Sequence, residues 1–260
     1  GTIELRTLER NSMKVLGFEA SGIVASVALV EDNKLIAEYT INNKRTHSKT
    51  LMPMLDELRT RLDMDINDID VIAVASGPGS YTGLRISSAT AKGLGMALDT
   101  PIVSVPTMEG MAYNMWGAHG YICPIVDARR SQVYTGTYYF EGGNIVEATP
   151  TSVVLIEDLL SSLCEMLSAD DRRFDNVVFL GDGVNLHRDL IVEKLGDKCA
   201  FTPAYMNMPS AASIAALGVK YATAGKTESP ASHRPSYYML SQAEKERLDE
   251  GKDIVEPSDY

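Results

Sequence analysis

The sequence has little of the chemistry that several common classes of protein need. It carries 24 Lys and Arg residues against 35 Asp and Glu residues, a formal net charge of −11, so it lacks the basic face of an autonomous nucleic-acid binder. Its three cysteines, Cys123, Cys164 and Cys199, are odd in number and widely spaced, which favours reduced residues of a cytoplasmic protein. No run reaches the roughly eighteen consecutive apolar residues of a membrane span, and no signal-peptide-like stretch precedes the first predicted strand.

Histidine is also scarce. The chain has four histidines, His47, His119, His187 and His233, and no two of them are three, four or five residues apart. A pair of imidazole ligands on one helix, as in many metal sites, therefore cannot be formed. The sequence predicts no metal site of this kind.

What the chain does contain is a glycine segment at residues 76–85, with the sequence SGPGSYTGLR. It follows Val71–Ala75, an apolar run typical of a buried strand, and precedes residues 86–98, which predict a helix. A turn of this kind leaves backbone N–H groups free at a helix N-terminus, where an anion or a partner's carboxylate is stabilised. Thr82 is the candidate helix cap.

The spacing of the glycine segment argues against three familiar motifs. Its glycines are one residue too far apart for a dinucleotide fingerprint, and a leucine stands where a P-loop needs lysine. Ser80 is flanked by proline and threonine where a nucleophile elbow needs glycines. Two interpretations remain. The segment is either a tight connection whose glycines only permit the backbone conformation of the turn, or a vestigial phosphate-binding turn formed by Gly77, Gly79 and Ser80.

The order of predicted elements occurs twice. Each half opens with three strands joined by hairpin-length turns and continues with alternating helices and strands, βββαβαβ. We expect an α/β protein of two lobes, the first formed by residues 13–106 with a helix at 210–224 and the second by residues 107–209. Residues 1–12 are expected to be a tag or disordered extension before a natural start at Met13, and residues 225–260 a polar, partly disordered tail.

Four segments together resemble the bacterial TsaB (YeaZ) family, whose members take part in making threonylcarbamoyladenosine beside the tRNA anticodon. They are residues 76–85, Glu19-Ala20-Ser21, His47-Ser48 leading into Leu51-Met52-Pro53, and Asp127-Ala128-Arg129. The resemblance covers roughly residues 13–224 and is closest in the first half. It implies a two-lobed actin/Hsp70-like ATPase fold with a ribonuclease H-like motif in each lobe, which agrees with the duplicated order.

The resemblance also implies a function. Members of the family are non-catalytic subunits that bind and activate a related catalytic subunit, TsaD, which transfers the threonylcarbamoyl group from its adenylate with a metal held by a His-x-x-x-His pair. This sequence lacks such a pair, so an inactive paralogue with no catalytic residues is expected. The implied partners are a TsaD-like subunit, a TsaE-like small ATPase and a second copy of the chain, with tRNA contacted only indirectly. ATP or ADP at the interface with TsaD is the cofactor that the resemblance allows.

In the family, the helices after the His-Ser and glycine segments form a bundle with TsaD or with a second copy. The interface candidates carried over are Ser48, Leu51, Leu55, Tyr81, Thr82, Arg85, Ser88, Ala91, Lys92 and Gly95. The leucine stripe of the first helix fits packing on its own sheet equally well. The residues predicted to face outward are Ser88, Ala91, Lys92 and Gly95.

The sequence departs from the family's usual Asp-Thr-Ser after the first strand, where it has Glu19-Ala20-Ser21. In actin-like ATPases the acid at that turn helps to hold the metal of a nucleotide. Glu19 is one methylene longer than aspartate, and Ala20 lacks the hydroxyl of threonine. Glu19 is therefore a degenerate acidic position, which argues against nucleotide binding inside this subunit.

The alternative function is that of an enzyme, either an actin-like-fold small-molecule kinase or a peptidase-like hydrolase. For a kinase, Gly181 and Gly183 would form a second phosphate-binding turn, with Asp127 as an acid in the cleft and Arg129 as its ion-pair partner. The same residues also fit a turn that serves geometry and a strand-end cap. For a hydrolase, nothing in the sequence places a serine or cysteine beside a histidine.

Overall fold

The computed structural model describes residues 12–43, 49–170 and 172–238. Within these ranges the elements are, in chain order, β1 (Lys14–Glu19), β2 (Val24–Glu31), β3 (Lys34–Asn42), α1 (Leu51–Arg61), β4 (Val71–Ala75), α2 (Tyr81–Leu98), β5 (Ile102–Val105), α3 (Thr107–Tyr113), β6 (Tyr121–Arg129), β7 (Gln132–Glu141), β8 (Asn144–Leu155), α4 (Ile156–Ser168), β9 (Val177–Leu180), α5 (Gly183–Leu195), β10 (Cys199–Phe201) and α6 (Ala211–Thr223). None of these helices is long and apolar enough to cross a membrane.

The strands form two five-stranded sheets of the same topology. The first has the order β3-β2-β1-β4-β5 and the second the order β8-β7-β6-β9-β10. In each sheet the central strand pairs antiparallel with the strand that follows it and parallel with the fourth strand of its half. The predicted duplicated α/β fold is confirmed. The duplicated order implies a fifth strand in the second half, but its three residues are too few to show a periodic pattern, so its range could not be predicted.

The first sheet is covered by helices on both faces. Side chains of β1 alternate, so Leu16 and Phe18 contact the core beneath α1 and α2, whereas Val15 contacts α6. The approach of α6 is close because small residues meet there. A Cβ on Gly17 would lie 2.5 Å from the carbonyl oxygen of Ala211, too near for any side chain.

The second sheet repeats this arrangement with α4 and α5 on one face and α3 on the other. The two lobes meet where α3 packs against α6. In that contact the hydroxyl of Tyr221 on α6 donates a 2.6 Å hydrogen bond to Oε2 of Glu109 on α3. Burial of its carboxyl raises the pKa of Glu109.

Helix α2 begins at Tyr81, earlier than the predicted residue 86, and its cap differs from the prediction. The side chain of Ser80 accepts a hydrogen bond from the N–H of Gly83, so Ser80 is the N-cap and the prediction of Thr82 is wrong. A cap must precede the first helical residue, whereas Thr82 already lies within the first turn.

Residues 226–238, here named the C-terminal strap, pack against the first lobe. Glu228 forms an antiparallel bridge with Ile102 of β5, and the N–H of Ser236 donates to the carbonyl oxygen of Ser76 at 2.7 Å. The polar tail predicted from residue 225 therefore begins with an ordered stretch. Residues 239–260 lie outside the described residues, as do residues 1–11 of the predicted N-terminal extension.

Candidate functional site: an interlobe cleft and the outer face of α2

The glycine segment joins the turn after β1 to the start of α3. The N–H of Gly77 donates to Oγ1 of Thr107 at 3.1 Å, and its carbonyl oxygen accepts from the N–H of Thr107 at 2.8 Å. The N–H of Ser80 donates to the carbonyl oxygen of Ser21 at 2.6 Å. A Cβ on Gly79 would overlap that same carbonyl oxygen. Amides that could have held a phosphate are thus engaged by the chain itself, which favours the geometric interpretation of this turn.

Glu19 is turned into the protein. Its Oε1 accepts hydrogen bonds from the N–H of Ser21 at 2.6 Å and from Oγ of Ser21 at 2.5 Å. Its Oε2 is buried and has no hydrogen-bond partner in the described part of the chain. Burial raises the pKa of Glu19 to about 7, although the bonds from Ser21 oppose the shift. A carboxyl held in this way is poorly suited to hold the metal of a nucleotide in the cleft.

A cleft of about 490 Å³ separates the lobes. Its first-lobe wall comes from the turn after β1 and from the glycine segment, and its second-lobe wall from the end of β6 and from Asp182. Tyrosines line it on both sides and at its mouth, namely Tyr81, Tyr134, Tyr237 and Tyr238.

Two carboxylates meet at the second-lobe wall. The N–H of Asp127 donates to Oδ1 of Asp182 at 3.0 Å, and Oδ1 of Asp127 accepts from the N–H of Arg129 at 2.8 Å. The pKa of Asp182 is raised, mainly by burial and further by the charge of Asp127, although backbone hydrogen bonds oppose the shift. Asp127 thus contacts the backbone of Arg129, as in a strand-end cap, and this contact is not the predicted ion pair.

The second glycine turn also closes on its own lobe. The N–H of Gly181 donates to both the carbonyl oxygen and Oδ1 of Asn207, at 2.8 and 3.0 Å. A Cβ on Gly181 would overlap the carbonyl oxygen of Ile125, and one on Gly183 would lie 3.0 Å from the same atom. These contacts favour a turn whose glycines serve packing.

The residues of the cleft therefore do not fit a metal-bound nucleotide, which the fold class implies. The acid of the first turn faces inward, the glycine turns bond to other parts of the chain, and the two aspartates at the second-lobe wall would repel a polyphosphate. Among the described residues no three His, Cys, Asp or Glu side chains are grouped so that they could hold a metal ion.

The structure does bring together a serine, a histidine and an acid, which the sequence did not suggest. Nδ1 of His233 lies 3.0 Å from Oγ of Ser104 and 2.9 Å from Oε1 of Glu228. In a catalytic triad the serine and the acid bind opposite ring nitrogens, whereas here they share one. His233 has no exposed surface, so this cluster lends no support to the hydrolase alternative.

The interface residues predicted on α1 lie inside the protein. Leu51 and Leu55 are buried in the core that α1 forms with the first sheet, and the prediction that they contact a partner is corrected. When a helix packs on a sheet, its apolar stripe is buried against that sheet and cannot reach a partner. Ser48 lies outside the described residues.

On α2, the predicted outward face is covered by the chain itself. Ser88, Ala91 and Gly95 are buried, and a Cβ on Gly95 would lie 2.8 Å from Cγ of Pro230 in the strap. Nζ of Lys92 donates to the carbonyl oxygen of His233 at 3.2 Å. The prediction that Ser88, Ala91 and Gly95 face a partner is corrected, because small residues admit the chain's own backbone as readily as a partner's. Lys92 is only half-buried, and its place in an interface stays a prediction.

The exposed side of α2, here named the outer α2 face, passes through Thr82, Arg85, Ala89, Gly93 and Met96. It includes two of the predicted candidates, and the third, Tyr81, lies at its start. Nη1 of Arg85 donates to the Tyr81 hydroxyl at 3.0 Å. The helical spacing from Arg85 onward would have indicated the remaining three residues.

This surface combines open backbone with an exposed apolar side chain. A Cβ on Gly93 would meet nothing within 4 Å, and Met96 is 67% exposed. On helix α1, Met52 is 49% exposed.

Two lobes of equal topology around a cleft define this chain as a two-lobed α/β protein of the actin-like ATPase fold. Over residues 34–246 the chain matches the family model described as "TsaD: tRNA N6-adenosine threonylcarbamoyltransferase". It is 37% identical over 242 residues to the tRNA threonylcarbamoyladenosine biosynthesis protein TsaB of Bacillus subtilis, covering 92% of this chain and 100% of that protein. The chain belongs to the TsaB family, as its sequence motifs predicted.

Further relatives agree with this assignment. The tRNA N6-adenosine threonylcarbamoyltransferase of Kosmotoga olearia is 34% identical over 116 residues, but these cover only 39% of this chain and 35% of that protein. The crystal structure of YeaZ from Pseudomonas aeruginosa superimposes with a TM-score of 0.72 at 23% identity, covering 86% of this chain and 99% of that one. That likeness confirms the fold.

Proposed function

We propose that this protein is a non-catalytic subunit in the biosynthesis of tRNA threonylcarbamoyladenosine, and that it binds and activates a TsaD-like catalytic subunit through the outer α2 face. The observation that carries the proposal is an exposed helix face with open backbone and a protruding methionine, in a TsaB-family chain whose cleft does not fit a metal-bound nucleotide.

The chemistry of the outer α2 face supports packing against helices of another protein. Gly93 and Ala89 let a second helix approach the backbone closely, and interaxial distances of about 8–10 Å depend on such small side chains. Methionine fills irregular gaps and adapts to its partner. Met96 on α2 and Met52 on α1 are both exposed and supply such side chains.

Kinship supports a TsaD-like partner. The chain matches a TsaD family model over most of its length, so the two proteins share related lobes with corresponding helices. Related subunits pair readily around an approximate two-fold axis, each through the same helices. A second copy of this chain would use the same face, so a homodimer would compete with the complex.

The remaining partners follow from charge and kinship. With a net charge of −11 the chain repels a phosphate backbone, so tRNA is reached through the catalytic subunit. A TsaE-like small ATPase would join the assembled pair, and ATP or ADP would bind where the two subunits meet.

Gel filtration of this protein with the TsaD-like subunit of its own species tests the proposal. At micromolar concentrations the parent should elute together with that subunit, and Met96→Arg should not, because the substitution places an unpaired charge in the helix contact. The matched control is Leu186→Arg, at a leucine of α5 that is 64% exposed and should leave co-elution unchanged. Separate peaks for the parent, or co-elution of Met96→Arg equal to that of the parent, would contradict the proposal.

A further inference from the structure

The C-terminal strap is fastened along the edge of the first lobe. The backbones of Glu228 and Ile102 exchange two hydrogen bonds of 2.9 and 3.0 Å. His233 is fully buried and bonds through Nδ1 to Glu228 and Ser104. Lys92 of α2 donates to the carbonyl oxygen of His233. The strap is therefore an integral element of the lobe.

The end of the strap enters the interlobe cleft. The N–H of Ser236 donates to Ser76, and the carbonyl oxygen of Ser236 occupies the space that a Cβ on Gly77 would need. The ring of Tyr237 then packs on that of Tyr81, with centroids 4.9 Å apart and planes tilted by 37°. Backbone and ring contacts thus guide the chain into the mouth of the cleft.

The opposite wall of this mouth belongs to the second lobe. Tyr237 and Tyr238 line the same cleft as Asp127 and Arg129 at the end of β6. Tyr134 on β7 lines this cleft as well. The strap therefore faces the second lobe at two of its strands.

We propose that residues 236–238 are the resident occupants of the cleft mouth and act as a latch that holds the end of β6 in the second lobe against the glycine segment of the first. The chain thereby closes its own cleft, and a polyphosphate would meet both the latch and the carboxylates of Asp127 and Asp182. Relative motion of the lobes requires the latch to release first.

Hydrogen exchange on the full chain, read by mass spectrometry, tests the latch with the double variant Tyr237→Ala/Tyr238→Ala. Both tyrosines are partly exposed, so the variant should fold. Loss of one aromatic pair should speed exchange roughly twofold to tenfold in peptides that contain Ser80 and, across the cleft, in peptides that contain Asp127. The control is Tyr205→Ala, at a tyrosine that is 86% exposed, which should leave both peptides unchanged.

The outcomes separate the latch from simpler alternatives. Faster exchange on both sides of the cleft supports it. Faster exchange at Ser80 alone would mean that the strap only braces the first lobe, and no change would mean that its tyrosines hold nothing; either result overturns the proposal. Addition of millimolar MgATP to the parent should leave the exchange rates of these peptides unchanged. Slower exchange with MgATP would overturn the proposal that the chain closes its own cleft.

Discussion

Glu19 makes the stability of the fold depend on pH. Its carboxyl is fully buried and bonded to Ser21, and its pKa is raised from 4.5 to about 7 by burial. The folded protein therefore binds a proton that the unfolded chain releases between these two pH values. The contribution of this carboxyl to the free energy of unfolding is greatest below pH 4.5. It declines as the pH rises to about 7 and does not change further above that pH.

We predict that Glu19→Gln removes this decline. Glutamine keeps the oxygen that accepts from Ser21 but has no proton to lose. The free energy of unfolding of the variant, relative to that of the parent, should therefore rise by on the order of 2–3 kcal/mol between pH 5 and pH 8. Urea unfolding of both proteins at the two pH values measures the difference. Equal pH dependence in parent and variant would show that Glu19 is not the group responsible.

Gly218 of α6 lies in a tight contact, whereas Gly93 of α2 does not. A Cβ on Gly218 of α6 would lie 2.6 Å from Cβ of Ala73 in β4, whereas one on Gly93 of α2 would lie in open space. Substitution by alanine increases helix propensity equally at both positions. The difference in stability between the two variants therefore measures the effect of packing.

We predict that Gly218→Ala lowers the free energy of unfolding by about 1–3 kcal/mol, because α6 must move away from the sheet. Gly93→Ala should raise it by about 0.5–1 kcal/mol, because alanine is the better helix former and nothing obstructs its methyl group. Chemical denaturation measures both. A Gly218→Ala variant as stable as Gly93→Ala would refute the close packing of α6.

Which elements could be predicted from the sequence depended on local pattern. Buried strands such as β4 and the duplicated order carry a periodic signal, and the fold followed from it. The glycine segment predicts a tight turn. The residues that it contacts, Ser21 and Thr107, are distant in sequence, and no local pattern indicates these contacts. The same holds for Glu19, whose inward direction depends on the turn that follows it.

The outward face of α2 was assigned wrongly for a related reason. Small residues occur on more than one side of this helix, and sequence spacing alone does not say which side the protein covers. The cover is the strap around Pro230 and His233, whose polar composition resembles a loose tail. Its order comes from contacts to β5 and α2 that only the tertiary structure reveals.

At the scale of the whole molecule, two lobes of the same topology enclose a cleft. The residues of this cleft do not fit a metal-bound nucleotide. The acid of the first turn is internal, and the glycine turns support packing. The strap reaches the cleft mouth with two tyrosines. The outer α2 face lies on the first lobe, with Gly93 and Met96 exposed.

The most direct measurement of this account is threonylcarbamoyl transfer to tRNA, with threonylcarbamoyl-adenylate supplied, by three samples: this protein alone, its TsaD-like subunit alone, and the two together. The account predicts no transfer by this protein alone and a marked increase when the parent, but not Met96→Arg, is added to the TsaD-like subunit. Transfer by the lone protein, or equal stimulation by the parent and by Met96→Arg, would contradict it.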